Sequence, residues 1–530
     1  GTGLFLALGQ VLAVTGPLGL LLAYLHVASV VYCTLASIAE MTVFAPVSGT
    51  FPYYATRWVD PALGFAVSQF LLSLVGWARF HPKIQGLLAD ASTGILLCLC
   101  NNYNIFWLTL CLQGAIMTLI SEITAACALI NFWDPQESRK YLYITLLCVL
   151  TVTVNAIGTR YALTCSIFTS KALVRFFGRS FLQVIGGLVI ALGGGPEHQR
   201  RHGFEYWRNP GPMVSFLEPG AKGRFLGLLA AIVPAAFSMG GIELVAIAAA
   251  ETRNPRRNLT TAMRSVVLRL VLFYLLSVII LGMILPSNDP SLFQKANNAG
   301  QAPWVLAFKR AGSLYRLPSL INAVILTSAF SAGNSLLFAA SRILYGLAVR
   351  KQAPVFFLRR TKRGVPLPSI LFTGAFSLLA FLNVSERPSQ VFGWFVTLST
   401  ISGLFGWASM NLTYLRFYYG MKQQEINPVG IYRSRFQPFA AMWALFWLVF
   451  YILISGIPVF WAFNGSDFVA AYINIPFFCM LYIGWKVVKK TKIAPLADLD
   501  FVTGVPALTD TEDEVETTVP GTFIQRLFQG

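Results

Sequence analysis

Residues 327–347 (TSAFSAGNSLLFAASRILYGL) form an apolar stretch of membrane-spanning length that carries Ser328, Ser331, Asn334, Ser335 and Ser341. A helix that only anchors a protein has no use for so many hydroxyls and amides in hydrocarbon. A helix that lines a polar path or packs closely on its neighbours does. Two glycine-rich interruptions could add to such a path. One is Gly1-Thr2-Gly3, and the other is Ser238-Met239-Gly240-Gly241-Ile242-Glu243, halfway through an apolar run over 224–250. Adjacent glycines weaken a helix and permit a local break. A broken helix in a membrane offers backbone N–H groups to an anion and unwound carbonyls to a cation. A zwitterion needs both. Helix packing is the bland reading of Gly-Gly.

Three acids, Glu40, Glu122 and Glu243, sit at or within apolar runs. An unpaired carboxylate in hydrocarbon costs at least ~3 kcal/mol, so each is expected to face protein or water. Glu243, directly after the break, is the first candidate for a substrate-ammonium or proton-coupling group, and Glu122 the second. Glu40, near Pro46 at a helix end, suits interfacial exposure or a structural ion pair.

The elements that position these groups are membrane helices. The 530 residues are 56% hydrophobic and 12% charged, against about 25% charged in soluble domains, and mean hydropathy is +0.63. Apolar runs over 14–44, 113–132, 141–158, 181–195, 224–250, 265–285, 317–348, 367–383, 391–416, 438–461 and 467–487 predict spanning helices. Residues 1–13 read as the remainder of another, truncated one. The expected architecture is an all-α polytopic bundle of about 12 spans. A single membrane domain covers 1–490, and a polar, acidic, weakly ordered tail covers 491–530.

The net charge of +18 is not a nucleic-acid signature. Its basic residues fall in alternate loops, such as Arg253–Arg264, Arg350–Arg363, Arg416–Arg435 and Lys486–Lys492. The intervening loops carry fewer, so these loops and the C-terminus are predicted to face the cytoplasm. The eight cysteines form no CxxC pair, the four histidines form no HExxH, and no nucleophile elbow or phosphate loop occurs. Neither a metal, a cofactor nor an enzymatic activity is expected. The chain opens at Gly1 inside a helical pattern, as a fragment would.

Several segments in order carry a resemblance: Gly1–Phe5 (GTGLF), Gly16–Gly19 (GPLG), Asp60–Ala66 (DPALGFA), Glu122–Ala126 (EITAA) and Gly203–Pro212 (GFEYWRNPGP). Glu243–Pro255 (ELVAIAAAETRNP), Ser331–Ser335 (SAGNS), Lys362–Pro366 (KRGVP) and Phe436–Phe439 (FQPF) continue it. Together they resemble the fungal amino-acid permeases, the yeast-type branch of the amino acid–polyamine–organocation superfamily. The resemblance implies a LeuT-type fold, with spans 1–5 and 6–10 as inverted repeats and two helices appended. It also implies amino-acid uptake across the plasma membrane, usually by proton symport. By position, it puts Gly1, Thr2 and Gly3 at the substrate carboxylate and the Ser238, Met239, Gly240 and Gly241 backbone at the ammonium. Phe237 would be the aromatic that closes over substrate. Ser331, Asn334 and Ser335 are expected along the polar path. Choline, GABA or a polyamine as cargo, or an amino-acid sensor without net flux, are the alternatives.

The departures are local. Residues 68–113 lack family character, and Val67-Ser68 is encodable by GTGAGT, a common splice-donor sequence, so a retained intron is expected there. Across Leu163–Gln183, the family's acidic motif and helix-5 lysine have no counterpart in register. Leu336 stands where the family often has Asp.

Overall fold

The computed structural model describes residues 3–46, 50–70, 113–157 (except 135, 137 and 138), 184–194, 203–243, 266–293 (except 269), 303–310, 316–349, 353–384 (except 363), 388–426, 433–503 and 505. Gly1, Thr2, most of the 68–113 segment and Leu163–Gln183 lie outside these residues, as does the tail beyond 505. No strand occurs among the described residues, and seven helices are long and apolar enough to cross a membrane, or eight with one bent pair.

The first helix, α1 (Gly3–Phe44), is two helices joined at a kink. Gly16 has φ +75° and ψ 173°, and Pro17 follows. Proline suits a first helical position because its missing N–H has no intrahelical partner there. The expected division between residues 1–13 and 14–44 is therefore real, with its boundary at Gly16. Residues 212–214 seal the kink: Leu18 N donates to Pro212 O (2.9 Å) and Val214 N to Thr15 O (3.1 Å).

The short helices α2 (Thr50–Trp58) and α3 (Pro61–Phe70) follow, then α4 (Gln113–Ile130) and α5 (Lys140–Ile157). The run expected over 224–250 is α6 (Gly220–Ser238), which stops midway. The run over 265–285 begins as a π-helical turn, Leu270–Leu275, and continues as α7 (Leu276–Ile284). The second half contains α8 (Arg316–Val349), α9 (Leu367–Ala375, extended by a 3-10 turn to Val384), α10 (Pro388–Gln423) and α11 (Phe439–Ile454). The last expected span, 467–487, is bent by 41° between α12 (Gly465–Tyr472) and α13 (Asn474–Lys489). One continuous core joins α1, α4, α6, α8 and α10, with α1 packed along α6 and α8 along α4.

The start of the tail corrects the expected weakly ordered extension. Residues 494–502 are strapped onto the helix ends. Ala494 N donates to Val59 O (3.1 Å), and Gln424 Nε2 donates to the carbonyls of Leu496 (3.2 Å), Ala497 (2.9 Å) and Leu499 (2.9 Å). Arg416 donates to Ala494 O, and Trp58 Nε1 to Asp500 O (3.0 Å). Leu499 and Phe501 are buried, the latter among Phe44, Trp58 and Phe417. The acidic composition read as solvated tail hid two apolar anchors and a matching set of donors on α2 and α10.

Asp500 closes the strap with an ion pair to Arg57 (3.0 Å). Burial alone would push its carboxyl up. The amide N–H groups of Thr503 and Val502, with Arg57, outweigh that and hold its pKa at about 2, below its usual 3.8. A carboxyl with a lowered folded-state pKa contributes stability above its ordinary value and loses it as pH falls toward the folded value. Hydrogen-exchange protection of residues 494–502 is thus expected to hold from neutral pH to about pH 4 and to fall between pH 4 and 2. Arg57→Gln should move that loss to higher pH, and an unchanged profile would refute the assignment.

Candidate functional site

The site is built on the end of α6. Pro234 lies inside the helix, and Ser238 Oγ returns a hydrogen bond to Pro234 O (2.9 Å). The helix closes with Met239 N donating to Ala235 O and Ala236 O, and Gly240 N donating to Phe237 O (3.2 Å). Gly241 then adopts φ +95°, a region that side chains with a Cβ avoid. Helix resumes at Glu243. The interruption expected from Gly240-Gly241 is therefore present. Gly240 is exposed and Gly241 half-buried, while Met239 and Ile242 on either side of them are buried, so the unwound backbone reaches accessible space at Gly240.

Three aromatic residues not picked out in the sequence surround this break. Tyr24 of α1, fully buried, hydrogen-bonds through its hydroxyl to Ser238 Oγ (2.8 Å). Tyr274, on the π-helical turn, donates to Ser238 O (2.8 Å). That carbonyl, expected among the acceptors for a substrate ammonium, thus already accepts a hydrogen bond from a neighbouring helix. Trp407 of α10 donates from Nε1 to Glu243 Oε2 (3.1 Å). A π-turn widens a helix locally and marks functional positions often. Here it is where Tyr274 reaches the break.

Glu122 is buried on α4, within electrostatic reach of Tyr274. It faces the α8 motif: a Cβ on Gly333 would lie 3.7 Å from Glu122 Cβ, so glycine there lets α8 approach the acid closely. Asn334 reaches across to α5, where Asn155 Nδ2 donates to Asn334 Oδ1 (2.7 Å). The serines behave differently. Ser335 Oγ bonds Ser331 O (3.0 Å) and Ser341 Oγ bonds Phe338 O (2.8 Å), both within α8. Phe237 is half-buried on the last turn of α6. Gly3 opens α1, while Gly1 and Thr2 fall outside the described residues.

From Trp407, a hydrogen-bonded ladder follows α10 toward its C-terminal end. Asn411 Nδ2 donates to Trp407 O (2.9 Å) and Thr34 Oγ1 (2.9 Å), and Ser37 Oγ donates to Asn411 Oδ1 (3.0 Å). Gln437 Nε2 donates to Ser37 Oγ (3.0 Å). At the end, Glu40 accepts from the Tyr414 hydroxyl and from Ser434 N (2.7 Å). Glu40 is therefore buried in a structural network, not exposed at the interface. Trp407, Asn411 and Tyr414 stand at i, i+4 and i+7, one face of a helix. Asn411 is fully buried and joins three partners through its side chain. Asn411→Ala should lower thermal stability by about 1–3 kcal/mol, because it leaves Thr34 and Ser37 without their cross-helix partner. Thermal unfolding in detergent measures it, and an unchanged midpoint would contradict the ladder.

A bundle of membrane helices, one interrupted at paired glycines and met there by two tyrosine hydroxyls and by a carboxylate that an indole holds, is an arrangement suited to a membrane transporter. The chain matches the amino acid permease family over residues 1–497 and belongs to that family. It is 32% identical to a proline-specific permease of Emericella nidulans over 517 residues, covering 95% of this chain and 85% of that protein. It is also 32% identical to the dicarboxylic amino acid permease of Saccharomyces cerevisiae, over 95% and 77% of the two chains. The basic amino-acid permease of the same yeast is 32% identical over 94% and 80%. The chain is thus an amino-acid transporter of the membrane and not an enzyme.

Proposed function

We propose that this permease imports amino acids across the plasma membrane by proton symport, with alternating access around the break at Ser238–Glu243. The observation that carries the reading is the unwound backbone, exposed at Gly240 and part-buried at Gly241, two residues before Glu243. A zwitterion held there would present its ammonium to the remaining carbonyls of the break and its carboxylate to Thr2 and Gly3, with Phe237 closing over it. Glu243, or Glu122 opposite the α8 motif, would exchange the coupled proton. Spans 1–5 and 6–10 form the inverted repeats, and the basic loops and C-terminus face the cytoplasm. The side-chain preference is not set by similarity, since equally similar proteins are named for proline, basic and dicarboxylic amino acids.

The test is uptake of labelled proline, lysine, glutamate and a wider panel in cells lacking their own permeases, with and without a protonophore. Versions with and without residues 68–113 are compared, which also tests the retained intron. Accumulation that the protonophore abolishes is expected, with Glu243→Gln or Glu122→Gln retaining binding and exchange but losing accumulation. Uptake unaffected by the protonophore would refute proton coupling. Surface expression without uptake of any amino acid, in both versions, would refute import.

A further inference from the structure

The connection between α8 and α9 does more than join two helices. It follows the exposed Val349 at the end of one span and leads into Leu367 at the start of another apolar helix. A 3-10 turn, Val355–Leu358, fixes it. Phe357 is buried 5.2 Å from the Phe372 ring of α9, and its carbonyl accepts from Ser369 Oγ (3.4 Å). Seating Phe357 inward turns its two predecessors outward: Val355 is 77% and Phe356 54% exposed. Shortly after them come Arg359, Arg360 and Lys362, all exposed.

The two arginines are held in place. The Arg359 guanidinium lies 5.4 Å from the Phe356 ring centroid and that of Arg360 lies 4.3 Å from Tyr345. A turn from Thr361 to Val365, with Thr361 N donating to Val365 O (2.9 Å), anchors the far end. The sequence contains no Asp or Glu between Asp289 and Glu386. None of the three cations pairs with a carboxylate among the described residues.

We propose that the segment Ala353–Lys362 is a binding site for anionic phospholipid headgroups. Val355 and Phe356 seat at the acyl boundary, and Arg359, Arg360 and Lys362 contact phosphate and carboxylate groups. Apolar side chains beside cations at the level of a helix end are the chemistry of the membrane interface. A soluble polyanion would satisfy the cations and leave both apolar side chains in water. With the basic loops facing the cytoplasm as proposed above, the site lies in the inner leaflet; binding itself does not rest on that orientation.

The full chain, purified in detergent, is titrated with phosphatidylserine or phosphatidylcholine and read by native mass spectrometry, which needs neither transport nor orientation. The wild type should retain phosphatidylserine preferentially. The triple variant Arg359→Gln, Arg360→Gln, Lys362→Gln should bind it about tenfold more weakly or worse, with phosphatidylcholine unchanged. Val355→Ser with Phe356→Ser should weaken both lipids. The single variant Arg359→Gln gives a smaller loss of the same kind if the triple variant does not fold. Equal retention of the two lipids by the wild type, or unchanged phosphatidylserine binding in the variants, would overturn the proposal. So would inorganic tripolyphosphate that displaces phosphatidylserine and binds the Val355→Ser, Phe356→Ser protein as well as the wild type. In that case the site serves a soluble anion.

Discussion

Gly241→Val should leave the permease at the cell surface and remove its uptake. At φ +95° a residue with a Cβ carries strain, about 1–2 kcal/mol in the left-handed region and more for a β-branched side chain. The chain can relieve that strain by rotating Gly241 toward helical geometry, which would join Ser238 to Glu243 as continuous helix. Either way the unwound backbone at Gly240 is lost or displaced. Each 1.4 kcal/mol against the competent conformation is a factor of ten in its population, so uptake should fall below about a tenth of wild type. Gly240 is the control. Its backbone carries no positive φ, and a Cβ there would meet only Phe237 O at 3.3 Å. Gly240→Ala should therefore cost less. Surface-normalised uptake of the preferred amino acid separates the two, and wild-type uptake by Gly241→Val would show that the break is not where substrate is held.

The second large effect concerns folding. Gly16 combines a positive φ with close backbone contact. A Cβ there would lie 2.8 Å from Pro212 O, 3.0 Å from Met213 Cα and 3.1 Å from Val214 N, all backbone atoms. Those atoms belong to the strand-like contact that seals the kink, so they cannot swing aside as a flexible side chain would. Gly16→Val should cost about 3–5 kcal/mol, from conformational strain together with overpacking, and much of the protein should fail to fold. Gly364 isolates the first cause: its φ is +78°, and a Cβ added there would meet nothing within 4 Å. Gly364→Ala should cost only about 1 kcal/mol. Gel filtration of a fluorescent fusion and its thermal midpoint rank the variants, and equal stability of Gly16→Val and Gly364→Ala would refute the packing argument.

Both glycines were visible in the sequence, but to different degrees. Gly240-Gly241 announced itself because glycine pairs inside an apolar run have a direct conformational meaning. Gly16-Pro17 entered only as part of a family motif, with the helix division read a few residues earlier, and the chain that packs on it was not legible because residues 212–214 lie far along the sequence. The acids were legible for the same reason as the glycines: a carboxylate in hydrocarbon demands an explanation. Its partners were not. Trp407, Asn411 and Tyr414 share a helical face, but α10 is buried on several sides and mostly apolar, so no polar stripe stands out against an apolar one. Tyr24 and Tyr274 read as ordinary membrane aromatics until their hydroxyls are seen at Ser238. The strap was concealed by composition. The acids of the longer tail dominate its composition, while Leu499 and Phe501 in the strap do the packing.

The strap also bears on the order of biosynthesis. Residues 494–502 leave the ribosome after the spanning helices described above, and their receptor joins residues 57–59 to residues 416–424, far apart in sequence. Until those segments meet, neither side of the contact exists. A nascent permease that has not assembled therefore displays Phe44, Trp58 and Phe417 without their cover, and one that has assembled conceals them. Seating Phe501 thus ties completion of the bundle to the covering of an aromatic patch.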